Sequence, residues 1–165
     1  MNTNRLVTLV DLTNSQAAAL DIFLECQREV SRAVRQRAWP CLELALEKAG
    51  AAADAVQSAE KDRLEAWYDF LCESGLPDNS SVFRASLSLP LELRASLNDA
   101  YRALRLSAMR ARIENESLSA FVGSSAETLH KAIETVFPER KGRIYGKSGK
   151  TSHAGSSAMV LDTAL

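Results

Sequence analysis

Gly146-Lys147-Ser148-Gly149-Lys150-Thr151 ends like a phosphate-binding loop, in which backbone amides cradle phosphates while a lysine and a hydroxyl engage the terminal phosphate and its magnesium ion. The spacing does not support that chemistry. The pattern needs a glycine five positions before Gly149, where Ile144 stands, and the segment neither follows a strand nor opens a helix. His130 and His153 are the only histidines, and neither is read as having a cysteine or carboxylate at ligand spacing, so no metal site is expected. Serines are abundant, yet none has an identifiable base and orienting acid. No catalytic residue, cofactor or enzymatic activity is therefore expected. The cysteines Cys26, Cys41 and Cys72 are odd in number and far apart in helix-like apolar patterns, and they read as reduced core thiols.

The elements around these residues read as helices. Apolar residues make up 46% of the 165 residues and alanine supplies much of that share, whereas aromatics are only 6%, which favours closely packed helices over sheets. Basic and acidic residues number 20 and 21, so bulk charge gives no reason to bind nucleic acid or an anionic membrane. No apolar run approaches the roughly 20 residues that span a bilayer, so no stable membrane insertion is expected. The start, MNTNRLVTLVDLTNSQ, lacks a basic leader and an adequate apolar run, which makes the cytoplasm the expected compartment.

Thr13 to Gln16 offers cap chemistry, after which Ala19, Phe23, Cys26, Val30 and Ala33 alternate steps of four and three, the signature of a helical stripe. The stripe stops near Ala38-Trp39-Pro40, because proline lacks the amide donor and forces its predecessor out of helical geometry. A second stripe runs through Ala45, Ala49, Ala52, Val56 and Ala59 and gains bulk at Leu64, Trp67, Phe70 and Leu71. Its small residues should let a neighbouring helix come close. The linker from Gly75 to Ser88 mixes turn formers with Val82 and Phe83, which should pin it to the helices.

Pro90 suits a helix start, and Leu97, Tyr101, Leu104, Ala108, Ala111, Asn115, Leu118 and Val122 then repeat at four and three, with Leu129, Ile133 and Val136 following a small slip at Gly123-Ser124-Ser125. Such a helix would be roughly 70 Å long. Two shorter helices can cover only part of it, which leaves Leu129, Ile133, Val136 and Phe137 as candidates for an exposed ridge that binds a partner. Asn115 in the seam would fix register or oligomer state, or sit in a solvated bend. Beyond Phe137-Pro138 the chain turns rich in Gly, Ser and Lys, and Arg140, Lys141, Arg143, Lys147 and Lys150 make it locally basic. With so few apolar residues it should order only on binding. Only Tyr145 interleaves an aromatic ring there, where single-strand nucleic-acid binders show several.

The expected architecture is all-α, an antiparallel bundle or coiled coil of three long helices over residues 1–137 followed by a flexible basic C-terminal tail over 138–165. The tail segment Ile144-Tyr145-Gly146-Lys147-Ser148-Gly149-Lys150-Thr151-Ser152 resembles the apolar-Tyr-Gly-x-x-Gly-x-Thr-Ser tail of the FlgN family, chaperones of flagellar type III export. Arg112-Ile113-Glu114-Asn115 and the run to Phe137-Pro138 are similar to that family's last helix, and a looser likeness covers Leu20 to Arg63, including Lys48. The resemblance implies a non-catalytic chaperone whose last helix and tail bind the terminal helices of the flagellar hook-associated (hook-filament junction) proteins. It implies too that Tyr145, with Ile144, Gly146 and Gly149, engages the cytoplasmic domain of the export gate.

Such a tail suits reversible binding. Tyr145 joins an apolar ring to a polar tip, the glycines allow close backbone approach, and the surrounding lysines speed encounter with acidic surfaces. Two rivals remain on the residues alone: a helical scaffold or adaptor with an unrelated protein partner, and a small nucleotide-dependent enzyme using Lys150 and Thr151. The apolar end Ala158-Met159-Val160-Leu161 reads as a frayed terminus, ahead of a second docking segment or a self-covering strip.

Overall fold

The computed structural model describes residues 3–136, together with 144–145 and 151–152. Four helices, α1 (Thr3–Gln36), α2 (Trp39–Glu73), α3 (Val82–Leu87) and α4 (Leu91–Val136), precede a two-residue ladder of β1 (Ile144–Tyr145) and β2 (Thr151–Ser152). The strands are antiparallel, with Ile144 opposite Ser152 and Tyr145 opposite Thr151. The fold is all-α in class, and α1, α2 and α4 are its long helices. The chain divides into two compact units, Met1–Phe121 and Val122–Leu165.

In the first unit, α1 and α2 are antiparallel. Arg5 meets Asp69 and Glu73, Gln16 meets Arg63, and Glu29 meets Lys48, so one position rises as the other falls. These two helices form the closest-packed pair, as the alanine stripe of α2 requires. α4 runs parallel to α1, because its Tyr101 bonds to Thr13 and its Phe121 lies under Arg35 further along both helices. Ala45, Ala52, Trp67, Phe70 and Leu71 of the expected α2 stripe are buried.

Helix ends follow backbone chemistry. At the end of α2, Gly75 takes a φ of 64°, its N–H donates to the Cys72 carbonyl, and the N–H of Leu76 donates to the Leu71 carbonyl. This pair of bonds satisfies carbonyls the helix leaves open, and the left-handed residue costs glycine nothing. The same pair closes α1, from Arg37 to Val34 and from Ala38 to Ala33, but here the left-handed residue is Arg37, at φ 54°. Pro40 then falls in the first turn of α2, where its missing donor is not needed.

The main apolar cluster gathers Leu6, Leu9, Trp67, Phe70, Leu71, Ala85, Leu89 and Leu97. Each fully buried leucine there contributes about 1.5–3 kcal/mol over its exposed state. Four expectations need correction. α1 starts ten residues upstream of the expected cap, because Leu6 and Leu9 extend its buried stripe. Thr13 and Gln16, read as cap residues, are buried inside the helix. The linker is pinned by Ala85 and Leu89 in the cluster, with Val82 packed beside them, while Phe83 is 72% exposed. The cysteines are free, but Cys41 and Cys72 are exposed and Cys26 is half-buried, so only their reduced state matches the core-thiol reading.

Polar contacts complete the linker. Ser81 caps α3 by accepting the Arg84 N–H, and Arg94 of α4 donates to the carbonyls of Leu89 and Leu87. These bonds tie the end of α3 to the start of α4 and satisfy carbonyls that a six-residue helix leaves open.

Candidate functional site

The seam of α4 decides what the helix presents. Leu97, Leu104, Ala111 and Leu118, each seven residues from the next, are buried or half-buried, and so are Ala100, Ser107, Glu114 and Phe121, three residues after each. A heptad of this kind keeps one face toward its partners. Of the second row expected, Tyr101 is half-buried, but Ala108, Asn115 and Val122 are exposed. Asn115 therefore lies outside the seam and fixes no register. Both rows hold small and polar residues, so apolar patterning alone could not choose between them.

Within the second unit, Val136 takes one azimuth on the helix at about 3.6 residues per turn. Val122, Leu129 and Ile133 fall within a narrow arc of it. α4 is continuous through Gly123-Ser124-Ser125, where a slip was expected. Every residue from Val122 to Val136 is exposed, with Leu129 at 63% and Val136 at 68%. In the second unit Val122, Leu129, Ile133 and Val136 thus form an apolar row open to solvent along one side of the helix. The far side of the helix is polar: Lys131 pairs with Glu127 at 2.7 Å and His130 lies 3.3 Å from Glu134. Glu134 is a carboxylate one turn from His130 that the sequence reading overlooked. Among the described residues, however, no group of three His, Cys, Asp or Glu side chains is arranged to hold a metal ion.

Of the other expected site residues, Ile144 and Tyr145 form β1, which pairs with Thr151 and Ser152 of β2. Phe137, Gly146 and Gly149 lie outside the described residues, as do Lys147, Lys150, His153 and the Ala158 to Leu161 segment.

A partly buried polar cluster within the first unit escaped the sequence reading. The Nε of Arg63 donates to Gln16 Oε1 at 2.5 Å, and Nη1 donates to the Tyr101 hydroxyl at 3.3 Å. The guanidinium also sits 5.9 Å from the centre of the Tyr101 ring, whose edge meets Trp67. Thr13 bonds to the same phenol, while its hydroxyl donates to the Leu9 carbonyl at 2.6 Å. Burial pushes the Tyr101 phenol up, against the opposing pull of Arg63 and then Thr13. The cluster ties α1, α2 and α4 together at one level and so fixes their registers. A signal was present, since Arg63 stands four residues past Ala59 on the α2 stripe.

No helix of the described residues is long and apolar enough to cross a membrane. A family model described as FlgN protein matches residues 1–153 of the chain, which takes in the four described helices and the paired strands. No curated protein and no solved structure matches it.

Proposed function

We propose a cargo and a delivery route for this chain from the premise that it belongs to the FlgN family, the flagellar export chaperones. The cargo is a terminal helix of a hook-filament junction protein, and the surface that receives it is the open row of α4, Leu129, Ile133 and Val136, with Phe137, next in sequence, assigned to the same contact. The single observation that carries this reading is the exposure of the apolar row Leu129, Ile133 and Val136 along one side of α4. An amphipathic cargo helix laid along that row would bury it against its own apolar face, by the usual helix-to-helix recognition mode. The row is short, and its burial gain is partly offset by the entropy of ordering cargo and side chains, which suits a chaperone that must let go.

Delivery falls to the tail. Ile144 and Tyr145, with Gly146 and Gly149, meet the cytoplasmic domain of the export gate, and the basic residues around them steer the encounter. The antiparallel pairing of Ile144–Tyr145 with Thr151–Ser152 supports this, because it gives the backbone that carries the motif a defined extended conformation. The protein acts in the cytoplasm, without catalysis and without a cofactor.

A pull-down with the C-terminal helical segments of the junction proteins tests the reading. Capture is expected from the unaltered chain and is expected to be lost with Leu129→Ser, Ile133→Ser and Val136→Ser combined. Tyr145→Ala is expected to keep capture and lose swimming motility. Undiminished capture by the triple variant moves the cargo site elsewhere, and normal motility with Tyr145→Ala removes the tail from delivery.

A further inference from the structure

A second exposed face of α4 lies in the first unit and is independent of the cargo reading. Residues 100–113 hold four arginines and no acidic residue, in a chain whose formal charge is -1. On the same stretch Leu106, Met109 and Ile113 recur at three and four, turned away from the seam formed by Leu104, Ser107 and Ala111, and they are 47%, 52% and 62% exposed. On a helical projection Arg110 falls on one side of this stripe and Arg105 on the other.

We propose that this face docks an amphipathic helix of a partner protein whose own apolar stripe is bordered by carboxylates. Charge complementarity selects that occupant. The flanking arginines at either end already engage carboxylates, Arg102 with Asp99 at 3.2 Å and Arg112 with Glu116 at 2.7 Å. Arg105 and Arg110, between them, have no ion-pair partner among the described residues. Planar guanidinium groups match carboxylates in two-bond geometry, which a lysine cannot reproduce. Three apolar side chains at i, i+3 and i+7 are the anchors by which one helix reads another. The same chain can then hold cargo on one stretch of α4 and a second protein on another.

The probe is a designed helical peptide with leucines at i, i+3 and i+7 flanked by glutamates, titrated into the full chain by fluorescence anisotropy. A matched peptide with lysines in place of the glutamates, anionic phospholipid vesicles and duplex DNA form the other arms. The glutamate peptide is expected to bind and the lysine peptide not to. Arg105→Glu with Arg110→Glu should weaken the glutamate peptide about tenfold and admit the lysine peptide. Ile113→Ser should weaken binding by a similar factor, and the triple serine variant of Leu129, Ile133 and Val136 should leave it unchanged. All positions are exposed, and circular dichroism melts establish that each variant is folded. Failure of the glutamate peptide to bind overturns the proposal. So does equal binding of the two peptides, or binding of vesicles or DNA alone with the same arginine dependence.

Discussion

Arg63 donates to Gln16 across the α1–α2 interface at 2.5 Å, while its other arm reaches the Tyr101 hydroxyl on α4. One side chain on one helix thereby sets the level of the other two. An apolar contact tolerates sliding by a turn, whereas a charged hydrogen bond to a buried amide does not.

Replacing Arg63 with leucine should therefore cost more than its lost packing. Gln16 loses its donor and the phenol of Tyr101 loses one, and bonds to a charged group are worth about 1.5–3 kcal/mol. Urea unfolding should show a loss of about that size. A double-mutant cycle with Gln16→Ala should give a coupling of about 0.5–3 kcal/mol, and a coupling near zero would show that the bond contributes nothing to register.

Tyr101 makes stability fall in alkali. Its folded pKa is raised above 10.0, chiefly by burial, so the unfolded chain gives up the proton first as pH increases. The stability due to the buried neutral phenol is complete below the ordinary value of about 10 and is lost as pH rises through the raised folded value. Thermal melts across that interval should show the decline, and Tyr101→Phe should flatten it. An unchanged alkaline decline in the phenylalanine variant would assign the effect to another group.

Gln27 is 5% exposed in the α1 seam, and its side-chain oxygen has no hydrogen-bond partner among the described residues. An unsatisfied buried acceptor costs about 1–3 kcal/mol, so Gln27→Leu should raise stability by about 1 kcal/mol after allowance for imperfect packing. A decrease in the urea midpoint would mean that the amide is satisfied in solution.

Arg37 holds the left-handed position that ends α1, a conformation costing a residue with a Cβ about 1–2 kcal/mol. Arg37→Gly should remove that strain, less the extra freedom glycine gains in the unfolded chain, for a net rise of about 0.5–1 kcal/mol. A fall in melting temperature would show that the arginine side chain contributes more than the strain takes away.

Helix α2 was legible because its stripe is built from alanine and bulky apolar residues, which pattern-reading detects directly. α1 was misjudged at its start because Thr13 and Gln16 have the side chains of a cap, and only their partners Leu9 and Arg63 reveal them as seam residues. In α4 the row through Leu97 and Leu118 stood out, but Ser107 and Glu114 gave no apolar signal against Ala108 and Asn115. The exposure of Leu129, Ile133 and Val136 was legible in the sequence from the length of the last apolar pattern, which outruns the two shorter ones before it. The arginine-flanked stripe at Leu106, Met109 and Ile113 was not foreseen, because its phase emerges only once the buried face is known.

Calorimetric titration of a junction-protein C-terminal helix into the folded chain tests the central claim most directly. Loss of three anchors at the centre of so small a surface should weaken binding at least about a hundredfold in the combined Leu129→Ser, Ile133→Ser and Val136→Ser variant, with helicity retained. An unchanged dissociation constant in that variant would contradict the assignment of the open face of α4 to cargo.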